Sequence, residues 1–197
     1  LLDLSRADAV IEIDDRQYLY FAEQNGWMTH GDPANEYRPG VVMVPGGVSY
    51  DLTSNTLTLN NAHLNNLSLR HLIYDEEGRP TGEKHVPKAD LTLVLMGNNV
   101  IETGHRTALN IGGGLNVTVT GEGKLRLHSH NDPGNRDEHG NQYAFDTLVV
   151  EQNSTLTIAG GEVTAEISGE GYWSNGNPAM PAALRGRENA ALVIRAA

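Results

Sequence analysis

GLNVTVTGEGKLRLHS, residues 114–129, decides how the rest of the chain is read. Val117, Val119, Leu125 and Leu127 alternate with polar residues on either side of Gly121-Glu122-Gly123. Period-two alternation marks a strand with one buried face, because successive side chains point to opposite sides. Taken alone, the stretch is a two-strand hairpin. Yet ADLTLVLMGNNVIETG (89–104) precedes it and STLTIAGGEVTAEISG (154–169) follows it. The same short pattern recurs along the chain.

Aligned on their first apolar pair, the repeats carry Leu57/Leu59, Leu93/Leu95, Val117/Val119, Leu156/Ile158 and Leu192/Ile194, at spacings of 36, 24, 39 and 36 residues. Turns follow at Asn61, Gly97, Gly121 and Gly160. A second alternation comes next, at Leu64, Ile101, Leu125/Leu127 and Val163/Ala165/Ile167. A third short apolar stretch closes each repeat: TALNI (107–111), FDTLVV (145–150) and PAALRG (181–186). Three short strands per repeat, with a shortest period near 24, predict an all-β right-handed parallel β-helix, a single-stranded solenoid with one coil per repeat. One coil cannot bury its inner face, so stacking must set like residues above like in apolar columns. The longer repeats then carry insertions, at 71–90, 130–142 and 169–181, expected to leave at one corner. The competing architecture, an antiparallel sandwich of hairpins, gives no reason for matched apolar offsets. Aligning the outward positions of the second strands sets Glu102 beside Arg126, Lys124 beside Glu162 and His128 beside Glu166, complementary neighbours of about 0.2–1 kcal/mol each.

Residues 1–47 do not follow the repeat. AVIEIDDRQYLYF (9–21) reads as one or two strands, VVMVPGG (41–47) as another, and the stretch 22–40 between them as loop. The expected organisation is one structural domain: an N-terminal cap of short strands over 1–47, covering the exposed edge of the first coil, and coils over 48–197. NAALVIRAA (189–197) reads as a further strand of the series.

The chain has a net charge of −11 and no cysteine. An acidic surface repels phosphate backbones, so nucleic acid is not expected as a partner. Disulfides, thiol catalysis and cysteine zinc sites are excluded. No apolar run reaches the roughly 18 residues of a membrane span, so a soluble chain without membrane insertion is expected. LLDLSRADAV (1–10) lacks the pattern of a signal peptide. For a secreted or cell-surface protein the signal would lie outside this sequence.

The candidate sites follow from residue chemistry. The outward positions of the first strands (Thr56, Thr92, Asn116, Thr155, Ala191, and Thr58, Val94, Thr118, Thr157, Val193) offer no acid, base or guanidinium. A glycoside hydrolase needs two carboxylates about 5–10 Å apart, so this face supplies no catalytic residue. Its Thr-x-Thr pairs suit an ice-binding face, but Thr is also an ordinary strand residue. In HNDPGNRDEHGN (130–141), Asn131, Asp132, Asn135, Asp137 and Glu138 crowd the oxygen ligands that calcium takes; a solvated polar loop is the plain alternative. His128 and His130 share a strand face and could hold a transition metal with His139. GEGYWSNGN (169–177) places Tyr172 and Trp173 in a loop beside Glu170, Asn175 and Asn177. Aromatic faces stack on sugar C–H groups, and the acid and amides would bind hydroxyls. The alternative is that both rings anchor the loop on the wall. Trp27 is a second such ring.

VSYDLTSNTLTLNNAHL (48–64), ADLTLVLMGNNVIE (89–102), LNVTVTGEGKLRL (115–127) and STLTIAGGEVTAE (154–166), in that order, resemble a group of secreted bacterial carbohydrate-binding-domain β-helix proteins. The resemblance implies a right-handed solenoid, secreted or on the cell surface, with calcium-assisted binding of a β-glucan or pectin-like polysaccharide. It carries no catalytic motif. The expected function is therefore non-catalytic polysaccharide binding with calcium as the one cofactor in view. One alternative is a structural or adhesin-like surface solenoid that holds an envelope component or a host protein. Another is a polysaccharide lyase or hydrolase with a loop-borne site.

Overall fold

The computed structural model describes residues 9–14, 16–21, 26–30, 38–39, 46–51, 53–69, 73–74, 80–82, 90–104, 106–112, 114–131, 145–169, 172–174, 177–179 and 181–195. Among them every regular element is a β-strand. No helix is long and apolar enough to cross a membrane, which says nothing about a β-barrel.

Three sheets hold most of the strands. The first runs Thr56–Asn60, Asp90–Met96, Asn116–Gly121, Thr155–Ile158 and Ala191–Ile194, each parallel to the next. The second runs His63–Leu64, Asn98–Thr103, Lys124–Asn131 and Glu162–Gly169, again parallel. The third runs Leu67–Leu69, Leu109–Ile111, Leu148–Val150 and Leu184–Gly186. The chain visits the first, second and third sheets in turn, four times, before returning to the first. Parallel strands need such crossovers, because a tight hairpin joins only antiparallel neighbours. The arrangement is compatible with a β-solenoid.

The inward positions form columns. In the first sheet Leu57, Leu93, Val119, Ile158 and Ile194 lie in register. In the second, Leu64, Ile101, Leu127 and Ala165 do the same. Leu67, Leu109, Leu148 and Leu184 make a third. Leu57, Leu93, Ile101, Leu127 and Leu67 are fully buried, each contributing about 1.5–3 kcal/mol of hydrophobic stabilisation. Cover fades at the last members: Leu192 is 40% and Ile194 72% exposed.

At the other end the edges are closed by strands of opposite sense. Val48–Asp51 pairs antiparallel with Thr56–Asn60. Ala9–Ile13 pairs antiparallel with Leu67–Leu69, and Ile11 and Ile13 enter the common core. Arg16–Phe21, Gly26–His30 and Arg38–Pro39 extend that sheet, all antiparallel. The parallel series thus begins at Thr56 rather than at 48. Gly26–His30, with Trp27, is a strand where the sequence reads as loop. Its Gly and Pro neighbours are turn formers, but two flanking strands supply the hydrogen bonds that local propensity does not foretell. Residues 41–45 lie outside the described residues.

The register departs from expectation at one step. Asp90–Met96 and Asn116–Gly121 pair with Leu91 on Val117 and Leu93 on Val119, two residues away from the alignment by apolar pairs. The offset is 26 residues, not 24, and the second sheet keeps it, with Asn98 on Lys124 and Glu102 on His128. The turn glycines decide this. Gly97 lies under Gly123, whose amide neighbour Lys124 donates to the Gly97 carbonyl at 2.8 Å. Gly121 then falls over Leu95. A β-carbon on Gly121 would stand 2.3 Å from the Leu95 carbonyl oxygen, and its φ is +98°. Leu95 fills the space left beneath the glycines: its Cδ1 reaches within 3.2 Å of where a Gly161 β-carbon would sit. Apolar matching pairs Leu95 with Val119; close backbone packing pairs it with glycine.

The insertions also leave from two corners instead of one. Segments 132–144 and 170–180 both follow second-sheet strands, while the stretch after Leu69 departs from the third sheet and carries a small antiparallel pair, Ile73–Tyr74 with Pro80–Gly82.

Candidate functional site

The strand ends where the second sheet passes to the third bring the chemistry together. Along Lys124–Asn131, Leu125, Leu127, Ser129 and Asn131 point inward, and Lys124, Arg126, His128 and His130 point outward. The inward residues turn polar toward the corner. Ser129 Oγ donates to the Arg106 carbonyl at 3.2 Å. Asn131, only 1% exposed, accepts from the Phe145 N–H at 2.8 Å and donates back to the Phe145 carbonyl at 3.4 Å. Thr147 Oγ1 donates to the Glu166 carbonyl at 2.8 Å. Asn131 thereby clamps both stems of the 132–144 segment, because Phe145 is where the chain returns.

Asn131 lies in register with Gly169. Gly169 has φ +97°, and a β-carbon there would meet the Asn131 carbonyl oxygen at 2.1 Å. Glycine lets the two strands end side by side. The acidic segment and the aromatic segment therefore depart from adjacent points. Of the expected calcium ligands, Asn131 is placed at the stem; Asp132, Asn135, Asp137 and Glu138 lie outside the described residues. Of the expected sugar contacts, Tyr172, Trp173 and Asn177 belong to a hairpin in which Tyr172–Ser174 pairs antiparallel with Asn177–Ala179. Glu170 and Asn175 lie outside the described residues. Trp173 thus sits in a strand and not, as its Gly- and Asn-rich surroundings suggest, in irregular loop. Both tryptophans were expected in loops, and both are in strands.

The outward face of the second sheet is an array of charged and hydrogen-bonding groups. Lys124 Nζ meets Glu162 Oε2 at 2.7 Å, the pairing expected from sequence. Arg126 reaches diagonally to Glu166, with Nε at 3.0 Å and Nη2 at 2.8 Å from Oε2. These hydrogen bonds, then the charges of Glu166 and Glu102, hold the guanidinium above its ordinary value. Glu166 is in register with His128 but is engaged by Arg126. Glu102 is in register with His128 rather than with Arg126, which is the two-residue correction again. His128 Nδ1 lies 3.0 Å from Glu102 Oε1, and Nε2 lies 2.8 Å from Ser168 Oγ. His130 Nδ1 stands 2.9 Å from the same Ser168 Oγ. The His128 side chain is 16% exposed. Sequence reading singled out the two histidines but neither Glu102 nor Ser168 as their partners. The signal was available: Gly97 on Gly123 and Thr92 on Thr118 align without a gap at the correct offset.

His128 and His130 sit edge to face with ring centroids 6.4 Å apart, and His139 lies outside the described residues. Among the described residues no group of three or more His, Cys, Asp or Glu is placed to hold a metal ion.

On the outward face of the first sheet the correction aligns Thr56, Thr92, Thr118 and Thr157 in one column, with Thr157 buried. The neighbouring column begins with Asp90, which accepts from Asn116 Nδ2 at 2.9 Å. The face thus carries carboxylates where none was expected: Asp90, and Asp51 on the capping strand, exposed and in register with Thr56. A groove between the third and first sheets is lined by Glu151, Gln152, Arg185, Gly186, Arg187 and Glu188. Arg187 Nε pairs there with Glu151 at 2.6 Å, and Arg185 pairs with Asp146. Its guanidiniums are engaged within the chain.

Compared with protein-family models, with curated proteins and with solved structures, the chain finds no match.

Proposed function

We propose that the chain is a right-handed parallel β-helix, capped at its N-terminal end by the antiparallel strands, that binds polysaccharide at the corner between its second and third sheets. The cyclic order of parallel strands supports the architecture, and right-handed crossovers are the general rule for parallel strands. One observation carries the binding site: Asn131 and Gly169 are paired, so the oxygen-rich segment 132–144 and the hairpin bearing Tyr172 and Trp173 rise from adjacent strand ends. In this reading Tyr172 and Trp173 stack on sugar rings, while Glu170, Asn175 and Asn177 engage hydroxyls. Asp132, Asn135, Asp137 and Glu138 give calcium its place between protein and an acidic glycan, while Asn131, whose amide faces inward to Phe145, holds the stem and is not a ligand. The resemblance to secreted bacterial carbohydrate-binding β-helix proteins points the same way and implies a secreted or surface location.

The test is affinity electrophoresis on β-glucan and pectin-like polymers, in calcium and again in EDTA. Retardation that is lost in EDTA and in Trp173→Ala is the expected result. No retardation on any polymer overturns the reading and favours the structural or adhesive alternative, in which the partner is a protein or envelope component.

A further inference from the structure

We propose that Ser168, His128 and Glu102 form an acyl-transfer relay, and that the outward face of the second sheet hydrolyses small carboxylic esters. The connectivity assigns the protons. The Glu102 carboxylate only accepts, so His128 Nδ1 carries the hydrogen across the 3.0 Å contact. Nε2 is then an acceptor, and Ser168 Oγ–H donates to it across 2.8 Å. Ser168 Oγ also stands 2.9 Å from His130 Nδ1; with its own hydrogen given to His128, it accepts there from the Nδ1–H tautomer. Each nitrogen of His128 thus meets the group that a nucleophile–base–orienter arrangement requires, at hydrogen-bonding distance. A surface hydrogen-bond ladder needs no such order. The order here arises because Arg126 engages Glu166, the register partner of His128. That leaves the imidazole to Glu102 on one side and Ser168 on the other.

A developing oxyanion also needs a donor. Alternate residues of a parallel strand bond to opposite sides. The Glu162 N–H donates to the Gly123 carbonyl at 3.1 Å, so residues two, four and six further along face the same neighbour. The N–H of Gly169 is turned to the other side, where the sheet order ends among the described residues. It is the amide directly after the serine.

In the proposed reaction Ser168 Oγ bonds to the acyl carbon as its proton passes to His128 Nε2. The carbon–alkoxy bond breaks, and the same proton goes to the departing alcohol. Water then attacks the acyl-serine, giving its proton to His128. Collapse releases the carboxylic acid and returns the proton to Ser168. Ester and water become acid and alcohol, with no further reactant. Ser168 and His128 are the catalytic residues, Glu102 is a positioning residue, and His130 stabilises charge on Oγ. The relay stands on the outward side of a sheet, beside exposed Glu102, Arg126 and Glu166, which fits an acyl group displayed on a polymer better than an enclosed small molecule. That polymeric context rests on the polysaccharide reading; the relay itself does not.

The experiment uses the whole chain, p-nitrophenyl acetate as substrate and a fluorophosphonate as serine-directed probe. The expected result is saturable hydrolysis above buffer and a single covalent adduct mapped by mass spectrometry to Ser168. Ser168→Ala should abolish both without moving the melting temperature. His128→Ala should lower the rate about 10²–10⁴-fold, the usual contribution of a general base. Glu102→Gln should lower kcat and leave KM unchanged, as expected of a residue that positions the imidazole without touching substrate. No adduct at Ser168 on the parent protein overturns the relay, as does unchanged hydrolysis in a folded Ser168→Ala variant. Glycan retardation without an adduct sinks the relay and leaves the binding reading intact. An adduct without retardation supports the relay and removes the polymer.

Discussion

Gly97, Gly123 and Gly161 turn the chain at one end of the second-sheet strands, and Asn131 and Gly169 release it at the other. The first corner is made almost wholly of backbone. A β-carbon on Gly123 would stand 2.7 Å from the Leu95 carbonyl carbon, and one on Gly161 would stand 2.9 Å from the Gly123 carbonyl oxygen. Adjacent repeats approach so closely there that only a few residues fit, and the number of residues in the turn sets the register. The second corner is lined by side chains: Ser129, Asn131 and Thr147 hold it from inside, while His128, His130 and Ser168 face out. It accommodates the 132–144 insertion because the Asn131 clamp closes its stem and leaves its length free. Corners that carry the stacking are thus separate from corners that carry the chemistry, which lets the second change without dislodging the first.

Substitutions can test that division. The largest effect should come from the columns both corners depend on. Leu93 is fully buried, and Leu93→Asp puts an unpaired carboxylate there at a cost of about 3–5 kcal/mol. Thermal and urea melts should show a lost or broadened transition. Next comes the backbone corner. Gly121→Ala must place a β-carbon against the Leu95 carbonyl at φ +98°, for a loss of about 1–3 kcal/mol from conformation alone. If its melting curve matches the parent's, the glycine corner does not set the register. Asn131→Ala should cost about 1–3 kcal/mol, since the Phe145 N–H loses its acceptor. Its sharper readout is faster proteolysis within 132–144, with the first-sheet amides keeping their hydrogen-exchange protection. The smallest effect should be on the outer face. A Lys124–Glu162 double-mutant cycle should return a coupling below about 1 kcal/mol that shrinks with salt, because both side chains are more than half exposed.

Much of this fold is legible in the chain itself. Leu57, Leu93, Leu156 and Leu192 announce their strands because a one-residue error would turn every apolar side chain outward. A two-residue error costs nothing in that alternation. This is why apolar matching alone sets Leu93 with Val117, while contact between glycines and backbone sets it with Val119. Trp27 and Trp173 are strand residues hidden among turn formers: their partners are near in sequence, Tyr20 and Arg38 for Trp27 and Pro178 for Trp173, but Gly, Pro and Asn around them break the apolar alternation that marks a strand. The grouping of Glu102, His128 and Ser168 depends on register across three repeats. It becomes visible only after the glycines are aligned.

Asn99 bears on how the repeats find one another. It occupies an inward position of the second sheet, in register with Leu125, and is 1% exposed. Its side-chain oxygen accepts from the Ala62 N–H at 2.9 Å, and its nitrogen donates to the carbonyls of Met96 at 3.1 Å and Lys124 at 3.0 Å. One amide therefore touches the repeat before it, its own and the repeat after. During folding, a chain that had slipped by two residues would still bury its leucines, but it would strand this amide without partners at a cost of about 1–3 kcal/mol. Asn99 acts as a proofreader: it penalises the one misassembly that hydrophobicity leaves unpunished.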